Sequence, residues 1–337
     1  MEDVENAPEE DLWFLPGPRQ DEGDDLPPGP RAEPLEAALI TPWASAEAAM
    51  AARLARVAGR LGALDDRLQR GPDGWRHRLA LIEATELSWF VGDRIGMDRL
   101  SLWLSLRLSG VQDDASVLAH AGWAVRRLSS GPGPQVDLTA FLERHDPKDM
   151  IDDAEPLADR AESWLELMAH AKGLHPISRA CMGYHLWNLS GLGQHGGRME
   201  AAVTALRIAA AEGRGVIFAP LAMGGAGGLR PGGSVPERLD HWLAGMEAGC
   251  LRAMRQLDDI EAWTARAKTQ MTRLSGKTPP ALRAVLGEWP LVSAPMAEAL
   301  TGASRAAVQR NLAWMEAQGL IREVTGQGRF RMWRAGF

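Results

Sequence analysis

SAPMAEALTGASRAAVQRNLAWMEAQGLIREVTGQGRFRMWRAGF, residues 293–337, sets helix signals and turn signals in a fixed order. Ser293 is a helix cap, and Pro295 sits in the first turn, where a missing N–H costs nothing. Met296 and Leu300, four apart, share a face. Thr301-Gly302-Ala303 breaks this helix, and Ser304 caps a second one. There Val308, Leu312 and Met315 recur at the spacing of a buried stripe. Gly319 ends the helix as a left-handed cap would. Two short strand-like runs follow, 320–324 and 329–333, around a hairpin turn at 325–328. The expected fold of this stretch is a winged helix-turn-helix with a small β-hairpin. Arg305, Gln309 and Arg310 fall opposite the buried stripe of the second helix, and Arg329 and Arg331 share one face of the wing.

Charge agrees with a nucleic-acid partner. From Ser293 onward there are six arginines and three glutamates. Neutralising phosphates supplies most of the affinity for DNA, so a basic face is the minimum requirement. Double-stranded DNA is the expected partner. Ser304, Arg305, Gln309 and Arg310 are the candidates at the major groove, where Arg reads guanine and Gln reads adenine. Arg329 and Arg331 are candidates for phosphate or minor-groove contact.

The net charge of the 337-residue chain is −7, which looks unfavourable for a DNA binder until it is located. Residues 1–30 hold ten acidic side chains and one Arg, so the chain from Arg31 onward is near +2. Residues 1–33, acidic and rich in Pro and Gly, cannot bury enough apolar surface to order themselves and are expected to be a disordered tail. Within it, Trp13-Phe14-Leu15 is a candidate docking segment. Two cysteines, Cys181 and Cys250, are too few and too far apart for a disulfide framework or a zinc site. No apolar run reaches the length of a membrane span, and the acidic start is the opposite of a signal peptide's. The expected location is the cytoplasm.

From Pro34 the pattern is helical, and the fold class expected is mainly α. Residues 34–233 form one helical domain, with Leu54, Val57, Leu61, Leu64 and Leu68 at helical spacing and further striped segments at 76–91, 97–108, 114–128, 138–145, 155–172, 176–189 and 198–212. The run 216–221 is the one strand-like segment before the C-terminus, and it leads into a glycine-rich loop at 224–233. A long helix over 235–274 begins at a capping box, Ser234 with Glu237, and Pro236 lies in its first turn. Unbroken, it spans roughly 60 Å, and Gly245 and Gly249 are places for it to bend. Its apolar stripe links the body to the 277–337 domain and is a candidate homodimer seam.

Residues 190–198, Ser-Gly-Leu-Gly-Gln-His-Gly-Gly-Arg, open the helix at 198–212. Gly191, Gly193 and Gly196 match a G-x-G-x-x-G spacing, yet residues 183–189 read as helix, and a dinucleotide site needs a strand there. The order of parts resembles that of Fic-type proteins: a helical N-terminal region, a helical core with a glycine-rich loop opening a helix, and an appended winged helix. Fic enzymes carry HPFxDGNGR in that loop. Registered on Gly197-Arg198, Ser190 stands where the catalytic His belongs, Gln194 at the Asp and Gly196 at the Asn. Upstream, residues 83–92 are similar to the S-x-I-E-G inhibitory segment, with Val91 in place of its Glu. The chain thus resembles a bacterial, often plasmid-borne family that joins a degenerate Fic-like helical domain of unknown function to a winged helix-turn-helix. That resemblance implies a regulatory role, no catalytic residue and no cofactor, and a vestigial anion loop at Gly193, His195, Gly196, Gly197 and Arg198. Two other readings stand beside it: a Fic-like nucleotidyl or phosphoryl transferase using this loop, and a protein-interaction module. His195 remains as a displaced base for the former. Whether the body takes a small-molecule ligand is open.

His170, His175 and His185 lie five and ten residues apart with Pro176 between, which is the wrong spacing for a helical metal site, and no metal is expected. The acidic pairs at 113–114 and 152–153 suit helix caps. The tryptophans at 75, 89, 103, 123 and 164 read as core.

Overall fold

The computed structural model describes residues 35–106, 114–143, 156–193, 197–326 and 331–337. Among them the protein is mainly helical, with thirteen α-helices and one small three-stranded antiparallel sheet. The acidic tail and the 152–153 pair lie outside the described residues.

The body opens with α1 (Leu35–Ala49), α2 (Ala51–Arg70), α3 (Gly74–Val91) and α4 (Met97–Leu106). It continues with α5 (Ala115–Ser129), α6 (Leu138–Leu142), α7 (Leu157–His170), α8 (Pro176–Leu186) and α9 (Gly197–Ala209). The expected stripe of α2 is the set it buries: Leu54, Val57, Leu61, Leu64 and Leu68. Asp114 caps α5, accepting from the Ser116 N–H at 2.8 Å. Of the five tryptophans expected in the core, Trp89 is 54% exposed and tethered only at its edge, its Nε1–H donating to the Ile95 carbonyl at 3.1 Å.

The 36-residue α10 (Val235–Gln270) is the axis of the molecule, and its capping box forms as expected. It runs unbroken through Gly245 and Gly249. An added Cβ on Gly249 would lie 2.3 Å from the Pro220 carbonyl oxygen, and one on Gly245 would lie 3.2 Å from the Gly228 Cα. These glycines let the 220–228 segment cross α10 at backbone contact. Parallel to α10 runs α2, strapped to it at positions seven apart. Arg53 pairs with Asp240, Arg60 with Glu247 at 2.9 Å, and Arg67 with Asp258 at 2.6 Å and Glu261 at 3.0 Å. The apolar stripe of α10, from Leu239 through Trp242, Met246 and Leu257 to Trp263, is buried within the chain itself.

Residues 216–221 correct a sequence expectation: they form no strand. Among the described residues no strand lies beside them to complete a ladder, and the backbone donors go elsewhere. Ala219 N–H donates to the Leu206 carbonyl, and the N–H groups of Leu221, Ala222 and Met223 converge on the Glu83 carboxylate at 3.0, 2.6 and 2.9 Å. Glu83 has no exposed surface, and burial pushes its pKa up to about 7 against the pull of those three bonds. A buried charge or carboxyl persists only where such partners meet it.

After α10 come α11 (Thr278–Glu288), β1 (Val292–Ser293), α12 (Ala294–Thr301), α13 (Arg305–Ala317), β2 (Ile321–Glu323) and β3 (Met332–Ala335). The sheet order is β1-β3-β2, with Val292 opposite Trp333 and Ile321 opposite Ala335. Two-residue β1 carries no periodicity and was not expected. Ser293 serves both elements, pairing with Met332 and accepting the Met296 N–H at 3.3 Å as the cap of α12. The core runs from Trp43 in α1 to Ala335 in β3 as one cluster. At the seam, Arg78 of α3 donates to the carbonyls of Leu286, Gly287 and Trp289, closing the C-terminal end of α11. Burial pulls its pKa down to about 10. Trp263 Nε1–H reaches the Leu320 carbonyl at 2.6 Å, which ties α10 to the entry of β2.

Candidate functional site

The exposed face of α13 is fixed by what the opposite face does. Val308, Leu312 and Met315 have no exposed surface and anchor the helix on the core. Ser304 caps it, its Oγ accepting the Ala307 N–H at 3.4 Å, and the left-handed Gly302 (φ 64°) turns the chain from α12 into it. One turn and more of outward surface is left to Arg305, Gln309 and Arg310, all exposed. Among the described residues these two arginines have no ion pair, hydrogen bond or ring contact. The partner helix α12 packs through its small residues. Ala294 and Ala297 are its buried residues, Met296 is half-buried, and Leu300 is 49% exposed. Small side chains bring α12 close, so its larger ones remain at the rim.

Arg331 is engaged within the chain. It donates to Glu316 of α13 at 3.2 Å, and its guanidinium lies 5.0 Å from the Trp333 ring. Trp333 Nε1–H donates to the same carboxylate at 3.3 Å. Arg329 lies outside the described residues. The sequence reading missed Arg322 and Arg334, which stand directly opposite each other on β2 and β3, both exposed. Their signal was the alternation Ile321-Arg322 and Trp333-Arg334, apolar then basic at strand period.

The loop before α9 lies in the body. Gly191 is left-handed (φ 68°), and a Cβ on Gly193 would fall 2.0 Å from Asn188 Oδ1. Gly197 packs under the Leu192 carbonyl, where a Cβ would come within 3.0 Å. Gly193 and Gly197 therefore sit where a side chain would meet Asn188 or the Leu192 carbonyl. His195 and Gly196 lie outside the described residues. Arg198 is exposed and stacks over Phe90, its guanidinium 4.4 Å from the ring. Beside it opens a cleft of about 610 Å³ lined by Asp93, Ser116, His120, Gly193, Gly197 and Arg198. Buried Glu200 lies next to it, with His120 Nε2 4.0 Å from Glu200 Oε1. No sequence motif pointed to His120, because α5 and α9 meet only in the fold.

His175 Nδ1 accepts the Ile177 N–H at 3.1 Å as the cap of α8. Half-buried His185 lies between the Trp43 and Tyr184 rings, and desolvation together with nearby Arg238 pulls its pKa down to about 4. Cys181 and Cys250 are buried free thiols. Among the described residues, no three metal-ligand side chains come together, and no helix is long and apolar enough to cross a membrane. Comparison of the chain with protein-family models and with curated proteins returned no match.

Proposed function

We propose that the protein binds double-stranded DNA through residues 277–337, with α12, α13 and the β2–β3 hairpin acting as a winged helix-turn-helix, and that it serves as a transcriptional regulator. The observation that carries this reading is the outer face of α13. Arg305, Gln309 and Arg310 are presented on a helix whose opposite face is locked into the core, and no group of the described chain engages the two arginines. A helix so held fits the major groove, where bidentate Arg and Gln contacts discriminate bases by about 1–3 kcal/mol each. The Arg331–Glu316 pair positions the base of the hairpin against α13 in this reading, rather than offering a free cation to the phosphates. The helical body, in contact with the module through Arg78 and Trp263, is the sensing or interaction part.

The test is fluorescence anisotropy of duplex DNA from the chain's own promoter region and of random duplex, over several salt concentrations. The full chain should bind the promoter duplex more tightly, with affinity falling as salt rises. Arg310→Ala should relax that preference. Arg305→Ala with Arg310→Ala should abolish it while leaving the thermal unfolding curve in place. Point variants are the right tool, because cutting the chain after Ser275 would uncover the shared core around Trp263. No binding at low salt would refute the reading.

A second reading, a nucleotidyl or phosphoryl transferase on a Fic-like body, is favoured by the cleft that joins Arg198 to His120. Calorimetric ATP binding that disappears in Arg198→Ala would support it, and absence of ATP binding would dismiss it.

A further inference from the structure

Arg322 and Arg334 are cross-strand neighbours on β2 and β3, and neither has an ion pair or hydrogen bond among the described residues. Like charges directly opposite each other weaken an antiparallel pair. The arrangement therefore favours an anion that neutralises both. The sheet geometry says where such an anion would sit. Successive side chains point to opposite faces. Trp333, which alternates with Arg334, turns towards α13 and donates to Glu316. The arginine pair thus looks away from α13, the helix that carries Arg305 and Arg310. Met332, on the same face as Arg334, packs against Leu102 of α4 and Leu291, which places the pair beside the helical body.

The chain carries a polyanion of its own. Residues 1–30 hold ten Asp and Glu and a single Arg. Thirty-four residues precede α1. At about 3.3 Å per residue they span up to roughly 110 Å extended, and roughly 30 Å as a relaxed coil. The 36 residues of α10 measure about 54 Å at ~1.5 Å each, a distance that the segment covers when partly extended. We propose that the Arg322–Arg334 pair is the docking site of the chain's own acidic segment, residues 2–25, whose carboxylates bridge the two guanidiniums. Arg presents paired N–H donors that match a carboxylate, and two adjacent guanidiniums select for closely spaced acids. This docking lies on a different face from the DNA-reading helix and stands or falls independently of it.

The test uses the full chain with its ten tail acids changed to the corresponding amides, titrated with a fluorescent peptide of residues 1–30. Saturable, salt-sensitive binding is expected. Arg322→Gln with Arg334→Gln should weaken it about tenfold, as two exposed charge pairs well within their usual range would. Arg305→Ala with Arg310→Ala should leave it unchanged. No peptide binding would overturn the proposal, and so would binding that depends on Arg305 and Arg310 instead. Loss of duplex binding in the Arg322/Arg334 variant without any change in peptide binding would assign the pair to DNA phosphate and also overturn it. Denaturation gives a second readout. Arg334→Gln should raise the unfolding midpoint in the amide-tail chain, where it relieves repulsion, and lower it or leave it unmoved in the native chain. The same shift in both chains would contradict docking.

Discussion

The charges of the body and those of the C-terminal module are used in opposite ways. In the body, buried Glu83 meets three backbone N–H groups, buried Arg78 meets three carbonyls, and buried Arg207 meets the carbonyls of Arg127, Ser130 and Gly131 at the end of α5. Each is a charge placed at the end of a backbone run that would otherwise leave orphan groups. On the module, Arg305, Arg310, Arg322 and Arg334 are exposed and meet nothing in the described chain. The contrast separates charge that holds the fold from charge that is free to hold a partner. It also shows that formal charge counts cannot make this distinction.

The comparison can be broken at its strongest point first. Glu83→Ala should cost about 3–5 kcal/mol, because three buried N–H groups lose their acceptor together. Chemical denaturation reads this directly, and a loss under about 1 kcal/mol would mean that water replaces the carboxylate. Arg78→Ala should follow at about 2–4 kcal/mol through the uncapped end of α11. Its effect should appear first as loosened hydrogen exchange in residues 278–289. Gly249→Ala should cost about 1–3 kcal/mol by pushing the 220–223 segment off α10, and unchanged stability would show that this crossing is soft. Arg305→Ala and Arg310→Ala should each change stability by less than about 0.5 kcal/mol, while duplex binding falls. A large stability loss there would erase the contrast.

Buried Glu83 and half-buried His185 make the same point through pH. The folded pKa of Glu83 is raised to about 7, so the stability linked to it is present at low pH and is lost as pH rises from the unfolded value near 4.5 through about 7. The folded pKa of His185 is depressed to about 4, so its contribution is present above 6.5 and is lost as pH falls towards 4. Across pH 4.5–6.5 the two slopes oppose each other. Stability of the native chain should change little over that window. In Glu83→Gln it should fall measurably from pH 6.5 to 4.5, since the slope that opposed those of His185 and of His77, whose pKa burial also lowers, is gone.

Helix positions, stripes and caps were legible because they are local. The 3.6-residue period of α2 and α10, the Ser234–Glu237 box, the Ser304 cap and the Gly302 and Gly319 breaks are all properties of neighbouring residues. The outward trio Arg305, Gln309 and Arg310 followed from the same period. Residues 216–221 misled because β-branched and apolar composition resembles a strand, yet a strand needs a partner that composition cannot supply. The 49% exposure of Leu300 was not legible, because helix spacing tells which residues share a face, and not how near the neighbour comes.

By itself, then, the sequence determined the helices, their ends, the basic outer face of α13 and the separation of an acidic start from a near-neutral remainder. Only the tertiary structure decided which charges are free. Arg331 is held by Glu316 fifteen residues earlier in the chain, and Arg78 is held by carbonyls more than two hundred residues later. It also set Arg322 opposite Arg334 and brought His120 beside Glu200. Periodicity arises from the geometry of adjacent peptide units, whereas the pairing of a charge depends on long-range packing that places another element within about 4 Å of it.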